Sequence, residues 1–211
     1  MHTPPYLKSG DKVAIVAPAR KVSPLEMDFA ISTIQSWGLH VVTGNHLFGA
    51  FNQFSGTDEE RAEDFQSMLD NPEVKAIFCA RGGYGTVRII DRLNFSFFEQ
   101  HPKWIIGYSD ITVLHSHIHS HFGIETIHAL MPINFADPDN KEALLTLKEA
   151  LFGESLQYTI PSHALNSTGS ATGTLTGGNL SILYALSGSA SELQADEKIL
   201  FIEDLDEYLY H

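Results

Sequence analysis

The sequence predicts an α/β fold in which helices cover both faces of a mostly parallel sheet. Apolar runs typical of buried strands alternate with amphipathic runs typical of helices as far as residue 128. Hydrophobic residues make up 43% of the 211 residues, which is enough to bury a substantial core. Because crossovers between parallel strands are right-handed, every strand-to-helix turn is expected at the same edge of the sheet.

The N-terminal part carries five predicted strands and four predicted helices. The strands are expected over residues 12–17, 39–43, 74–80, 104–108 and 124–128. The helices are expected over residues 24–37, 57–69, 86–93 and 111–122. Thr57 and Glu60 have the spacing of a capping box at the start of the second helix, and the first helix stops at Gly38. We expect a flavodoxin-like or Rossmann-like arrangement.

After Gly153 the composition changes, and a second, smaller α/β domain is expected to begin. This part is predicted to contain a strand starting at residue 173, a turn over 177–179, a helix over 180–186 and a strand over 198–202. The predicted divisions are an N-terminal domain over 1–155, a linker over 156–172 and an incomplete C-terminal domain over 173–211. Because two strands and one or two helices are too few for a stable domain, we expect the chain to be a fragment of a longer protein.

The chain is acidic, with 26 Asp and Glu residues against 13 Lys and Arg residues and a formal net charge of -13. This balance argues against nucleic acid or an anionic membrane as the partner, because binding to phosphates needs clustered cations. Cys79 is the single cysteine, so no disulfide framework is expected. The sequence shows neither a signal peptide nor a membrane-spanning apolar run, and we expect a cytoplasmic protein.

The segment Gly107-Tyr108-Ser109-Asp110 follows the fourth predicted strand and has the pattern of a sharp strand-to-helix turn. Such a turn can expose a serine hydroxyl at the carboxyl edge of a sheet, next to the free N–H groups of a helix. The nucleophile motif of α/β-hydrolases is excluded, because Ile111 stands where that motif needs a second glycine. A simpler alternative stays open, in which Ser109 and Asp110 only cap the helix.

Two further segments are expected at the same edge. The glycine-rich loop over residues 81–85 could present N–H donors to an oxyanion, although a tight turn or a phosphate-binding loop would use glycines as well. Glu203 follows an apolar strand and could orient a catalytic histidine. The acidic run that Glu203 begins could also be a metal site or the solvated N-terminus of a helix.

Four histidines alternate along the predicted helix after Ser109: His115, His117, His119 and His121. They form two pairs with the i,i+4 spacing of metal ligands, but the pairs face different directions and no H-E-x-x-H motif is present. We therefore favour partly exposed helix histidines, and we predict neither a metal nor a cofactor.

Five short segments, taken in order along the chain, resemble the LD-carboxypeptidase family of serine peptidases. The segments are 10–18 (GDKVAIVAP), 80–85 (ARGGYG), 107–112 (GYSDIT), 176–180 (TGGNL) and 200–204 (LFIED). This family contains murein tetrapeptide carboxypeptidases and microcin-immunity peptidases. The resemblance covers essentially the whole chain.

The resemblance implies a Ser–Glu–His triad in which Ser109 is the nucleophile and Glu203 is the acid. The family's catalytic histidine lies further along the second domain, and no residue of this chain matches it. Neither His128 nor His211 lies in the family's histidine motif. His128 ends the fifth predicted strand, where it is expected to contact substrate unless it is a buried histidine satisfied within the fold.

The resemblance also implies an oxyanion hole and a substrate-binding site. The backbone N–H of Asp110, together with that of Gly82 or Gly83, would bind the oxyanion. Arg81 is expected to bind the terminal carboxylate of the substrate, with a surface ion pair as the alternative. Asn179 is expected among the substrate-binding residues.

The function implied is that of a serine-type L,D-carboxypeptidase that removes the terminal D-alanine from muropeptide tetrapeptides in cell-wall recycling. A microcin-immunity peptidase that acts on a peptide–nucleotide conjugate and a non-catalytic α/β domain that binds a small anion are the alternatives. The expected partners are a muropeptide substrate and a second copy of the chain in a homodimer. Without the catalytic histidine, the 211-residue chain alone is expected to be inactive.

Overall fold

The computed structural model describes residues 1–205 and residue 208, and its main element is a five-stranded parallel sheet. The strands are β1 (Lys12–Val16), β2 (His40–Thr43), β3 (Val74–Cys79), β4 (Trp104–Gly107) and β5 (Ile127–His128). Their order is β2-β1-β3-β4-β5, and each neighbouring pair is parallel. This is the flavodoxin-like order, and the predicted α/β fold is confirmed.

Helices cover both faces of the sheet. They are α1 (Pro24–Ser36), α2 (Asp58–Asp70), α3 (Ser96–Gln100), α4 (Thr112–Phe122) and α5 (Lys141–Phe152). Helices α1 and α5 pack on the face that carries Val13 and Ile15, whereas α2 and α4 pack on the face that carries Ala14 and Val16. Successive strand residues point to opposite faces, so the central strands must be apolar on both sides.

Local sequence determines where several of these helices begin and end. Ser23 and Glu26 form a capping box at the start of α1, and Thr57 and Glu60 form one at the start of α2. Helix α4 ends at Gly123, which takes the left-handed conformation at φ 59° that glycine adopts without strain. Within residues 1–205 and 208, no helix combines the length and the apolar character needed to cross a bilayer.

A second, two-stranded parallel sheet packs against α4. It consists of β6 (Leu175–Asn179) and β7 (Ile199–Glu203), with helix α6 (Leu180–Ala185) after β6. The N–H of Asn179 donates to Thr112 Oγ1 at 3.0 Å, and Ser116 Oγ donates to the carbonyl of Ser191 at 2.6 Å. Asp206 and Glu207, which continue the acidic run that begins at Glu203, and His211 lie outside the described residues.

The helix expected over residues 86–93 is wrong, because the chain there forms two short 3-10 turns, Thr86–Arg88 and Ile90–Arg92. Gly85 precedes the first turn with φ 148°, and no side chain caps it. The N–H of Thr86 is instead bound by a carboxylate from another loop. A regular helix therefore lacks its usual start at this point.

The turn expected over residues 177–179 is also wrong, because these residues belong to β6. A β-carbon at Gly177 would lie 1.7 Å from the carbonyl oxygen of Phe201 on β7. The glycine thus allows two strands to approach closely and does not mark a turn. Helix α5 was not expected from the sequence, and β5 is shorter than the five-residue run over 124–128.

Candidate active site

Ser109 lies on a sharp turn directly after β4. Its φ of 59° is left-handed, a conformation that costs a non-glycine residue about 1–2 kcal/mol. The 3-10 turn Ser109–Ile111 then leads into α4. A β-carbon at Gly107 would lie 2.7 Å from Ile111 Cγ1, so the strand can turn back this tightly only with a glycine there. Strain of this kind is concentrated at functional sites.

Asp110 does not cap the helix, so the alternative in which Ser109 and Asp110 only cap it is wrong. It is the second residue of the 3-10 turn, and no side chain caps either this turn or α4. Its carboxylate oxygen Oδ2 instead accepts hydrogen bonds from the N–H of Thr86 at 3.0 Å and from Thr86 Oγ1 at 2.6 Å. Both bonds are buried, so Asp110 fastens the glycine-rich loop to the serine turn.

The two glycines of the loop lie in different surroundings. A β-carbon at Gly82 would lie 3.5 Å from the backbone nitrogen of Asp110 and 3.3 Å from the methyl group of Met131. A β-carbon at Gly83, where φ is 111°, would collide with the side chain of Arg20. Gly82 is therefore the glycine that borders the Asp110 amide.

The imidazole of His115 contacts Gly107, at the end of β4 just before the serine turn. Its Nε2 lies 2.9 Å from the carbonyl oxygen of Gly107, which also accepts the N–H of Ala129 at 3.1 Å. The side chain is buried, contrary to the expectation of exposed helix histidines, and burial lowers its pKa from 6.5 to about 4. At neutral pH this imidazole is uncharged, and with the hydrogen on Nε2 it donates to Gly107.

His117 is partly buried, and its Nδ1 lies 2.9 Å from Ser191 Oγ. The helix histidines thus fasten α4 to the strand end of Gly107 and to the chain after α6. Among residues 1–205 and 208, no group of three or more His, Cys, Asp or Glu side chains is arranged to hold a metal ion.

Glu203 ends β7 close to the end of β5. Its Oε1 lies 3.9 Å from Nε2 of His128, and His128 is the register partner of Gly107 on β4. Burial raises the pKa of the Glu203 carboxyl and lowers the pKa of the His128 imidazole. The distance is too long for a hydrogen bond, and in the described part of the chain Glu203 Oε1 has no hydrogen-bond partner. Glu203 therefore lies next to His128, the residue of β5 that pairs with the end of β4, and β4 leads into the serine turn.

Asn179 holds the second sheet in place with each of its polar groups. Its Oδ1 accepts the N–H of Ile182 at 3.1 Å and caps α6, while its Nδ2 donates to Asp204 Oδ1 at 3.1 Å. Its own N–H binds Thr112 in the first turn of α4. These bonds link β6 and β7 to the helix that follows Ser109.

Arg81 lies at the surface, with its Nη1 3.9 Å from Glu26 Oε1. This is the ion pair that the sequence left open as the alternative to carboxylate binding. Thr86, by contrast, is a residue of the site that sequence reasoning missed. The one signal in the sequence is that a hydroxyl residue directly follows Gly85 at the end of the glycine-rich loop.

A cavity of about 550 Å³ lies between α4, β5 and the second sheet. His115, His119 and His128 line it on one side, and Gly177 and Phe201 line it on the other. Its lining includes neither Ser109 nor the glycine-rich loop. The serine turn therefore does not line this cavity.

Comparisons with known proteins agree with this geometry. The model of the LD-carboxypeptidase N-terminal domain matches residues 13–129, and the model of the C-terminal domain of the same family matches residues 172–211. A probable murein peptide carboxypeptidase of Bacillus subtilis (strain 168) is 37% identical over 213 residues. The matched region covers 99% of this chain and 67% of that protein, so the chain spans about two thirds of this relative.

Two solved structures have the same fold. A muramoyltetrapeptide carboxypeptidase from Oxalobacter formigenes superposes with a TM-score of 0.81 at 27% identity, over 94% of this chain and 67% of that one. The microcin C7 self immunity protein MccF, in complex with aspartyl sulfamoyl adenosine, superposes with a TM-score of 0.83 at 23% identity, over 97% and 71%. The second likeness shows the fold alone. The family models and the Bacillus relative establish that this chain belongs to the LD-carboxypeptidase family of serine-type carboxypeptidases.

Proposed function

We propose that this chain carries the nucleophile and the acid of a serine-type L,D-carboxypeptidase that removes terminal D-alanine from muropeptide tetrapeptides. The observation that carries the proposal is the left-handed turn at Ser109, with the Asp110 amide and Gly82 beside it. Family membership and the Bacillus relative supply the reaction class.

In this mechanism Ser109 Oγ attacks the carbonyl carbon before the terminal D-alanine. A histidine takes the hydroxyl proton and returns it to the leaving amine, and water then hydrolyses the acyl-enzyme. The N–H groups of Asp110 and Gly82 bind the oxyanion, and losing one such donor typically costs about 3 kcal/mol of transition-state stabilisation. The hydrogen bonds that Thr86 donates to Asp110 Oδ2 join the end of the glycine-rich loop to the serine turn, which supports this arrangement.

Glu203 would orient the catalytic histidine and stabilise its charged form. His128 lies 3.9 Å from Glu203, beyond hydrogen-bond reach, and we do not assign it that role. We expect little or no turnover by the 211-residue chain itself. A cytoplasmic role in cell-wall recycling and a homodimeric assembly are further proposals that rest on the family resemblance.

The test is release of D-alanine from L-Ala-γ-D-Glu-meso-diaminopimelate-D-Ala. It is measured with this chain and with any longer product of the same gene, each with and without Ser109→Ala. In the form that turns over, Ser109→Ala should lower kcat by about 10³-fold or more. Ser32→Ala, which removes an exposed serine of α1, is the matched control. Equal activity in Ser109→Ala and its parent would reject Ser109 as the nucleophile.

A microcin-immunity activity is the second candidate, and the likeness to MccF with its bound aminoacyl sulfamoyl adenosine favours including it. The same nucleophile and oxyanion donors would act on a peptide–nucleotide bond. Hydrolysis of aspartyl sulfamoyl adenosine at a higher kcat/KM than the tetrapeptide would favour this candidate over the first.

A further inference from the structure

Arg20 lies on the loop after β1, at the same edge of the sheet as Ser109. Its backbone is fixed by a bridge to Phe54, and the neighbouring N–H of Lys21 donates to the carbonyl of Gln53 at 3.1 Å. Its side chain is exposed. The position of Arg20 is therefore defined by the backbone, while its guanidinium remains accessible to a ligand.

Arg20 is the one arginine of five without an acidic partner in residues 1–205 and 208. The other four lie within ion-pair distance of carboxylates, in the pairs Arg61–Asp58, Arg81–Glu26, Arg88–Asp58 and Arg92–Glu59. The described structure gives the Arg20 side chain neither a hydrogen bond nor an ion pair. Its planar fork of donors is thus free to bind a carboxylate.

The side chain of Arg20 crosses the glycine-rich loop beside the oxyanion donors. A β-carbon at Gly83 would lie 2.6 Å from Arg20 Cδ and 2.9 Å from its Nε, so the arginine side chain packs directly against this glycine. The adjacent residue, Gly82, borders the Asp110 nitrogen. Gly82 therefore lies between the Arg20 contact at Gly83 and the Asp110 N–H that would bind the oxyanion.

A carboxypeptidase needs a cation at about this place. In its substrate the terminal carboxylate lies one residue from the carbonyl that is attacked, about 3.5 Å along an extended chain. On the basis of the proposed function, we propose that Arg20, and not Arg81, binds the terminal carboxylate of the peptide substrate. It would do so through a charge-assisted, two-pronged hydrogen bond.

Arg81 is less suited to this role because its neighbour is already anionic and held in place. Glu26 accepts hydrogen bonds from the N–H of Ser23 at 2.7 Å and from Ser23 Oγ at 2.8 Å, and these bonds lower the pKa of its carboxyl. Glu26 is thus a fixed negative charge 3.9 Å from Arg81. A substrate carboxylate at Arg81 would meet repulsion that it does not meet at Arg20.

The test measures binding, so that it does not depend on turnover. Isothermal titration in a Ser109→Ala background compares L-Ala-γ-D-Glu-meso-diaminopimelate-D-Ala with the same peptide ending in a carboxamide. The parent protein of this comparison, which carries only Ser109→Ala, should bind the free acid at least about tenfold more tightly than the amide. Arg20→Gln should remove this preference, and Arg20→Lys should keep part of it as a point charge. Arg81→Gln and the distant Arg92→Gln should retain it.

Each other outcome is decisive. An acid preference that survives in Arg20→Gln, or one that is lost in Arg81→Gln, overturns the assignment to Arg20 while leaving the proposed function intact. Failure of the parent to bind either peptide would reject the proposed substrate class and this inference together.

Discussion

The turn that carries Ser109 and the strand that carries Glu203 are held in place by different means. Around the turn, Asp110, Thr86 and His115 are buried. The bond between Asp110 and Thr86 joins two turns, and His115 joins α4 to the end of β4. Strand β7 instead lies in a two-stranded sheet, and the side chain of Ile202, just before Glu203, is 51% exposed.

This difference separates two parts of the proposed catalytic machinery. The proposed nucleophile and oxyanion donors lie after β3 and β4, where buried hydrogen bonds join the chain segments. The sheet that carries Glu203 is held by the hydrogen bonds of Asn179 to Asp204 and to Thr112 of α4. We infer that the oxyanion geometry persists when the second sheet is disturbed, whereas the acid does not keep its position. Three substitutions test this contrast.

Arg61→Ala should have the largest effect because it disrupts the first region. The Arg61 guanidinium is buried, and it donates to the carbonyls of Pro18 and Gly85 and pairs with Asp58. Removing it leaves those acceptors unsatisfied, and the free energy of unfolding should fall by about 3–5 kcal/mol in urea denaturation. Arg92→Ala breaks an exposed pair and should leave the midpoint unchanged. Equal loss in both variants would contradict the contrast.

The second-largest effect should come from the protonation of His115, measured as the pH dependence of the free energy of unfolding. The folded-state pKa of His115, about 4, lies below the ordinary histidine pKa of 6.5, which applies in the unfolded chain. Between these two pH values the unfolded chain therefore binds a proton that the folded chain does not. The free energy of unfolding should therefore fall from pH 7 to pH 4 by on the order of 3 kcal/mol through this residue.

The matched variant for this measurement is His115→Gln, which keeps an N–H donor for Gly107 but does not titrate. Its stability should depend less on pH over the same range, by about the amount expected for His115. The other histidines are present in both proteins, so the difference isolates this one. Parallel pH profiles would show that His115 is not buried in its neutral form.

Asp204→Ala should have the smallest effect because it disrupts the second region. Asp204 accepts hydrogen bonds from Asn179 Nδ2, from the N–H of Ser181 at 2.9 Å and from Ser181 Oγ at 2.7 Å, but it is exposed. Water can replace the lost acceptor, so the free energy of unfolding should fall by less than about 1 kcal/mol in urea denaturation. A loss as large as that of Arg61→Ala would reverse the comparison.

Sequence patterns predicted the parallel sheet and the turn at Ser109 well, because both follow from local order along the chain. The apolar run before Gly107 needs only its own residues to be recognised as a strand. The role of Asp110 could not be predicted in this way, since its partner Thr86 lies 24 residues earlier in the sequence. The burial of His115 likewise depends on β5 and the second sheet, which the helix pattern does not show.

The glycines of the second sheet could not be assigned from the sequence for a similar reason. Gly177 and Gly178 suggested a turn, but β7 and Thr112 approach too closely for any side chain there. Only the arrangement of three distant segments makes these positions glycine. Pattern reasoning therefore succeeds where a feature is local and fails where a close approach between distant segments determines the residue.

Ser109 makes the fold less stable than it could be. A serine held at φ 59° is strained, whereas a glycine would adopt the same backbone freely and raise stability by about 1 kcal/mol. The same replacement would delete the hydroxyl. Selection for stability alone would thus favour glycine in this turn over serine, the proposed nucleophile.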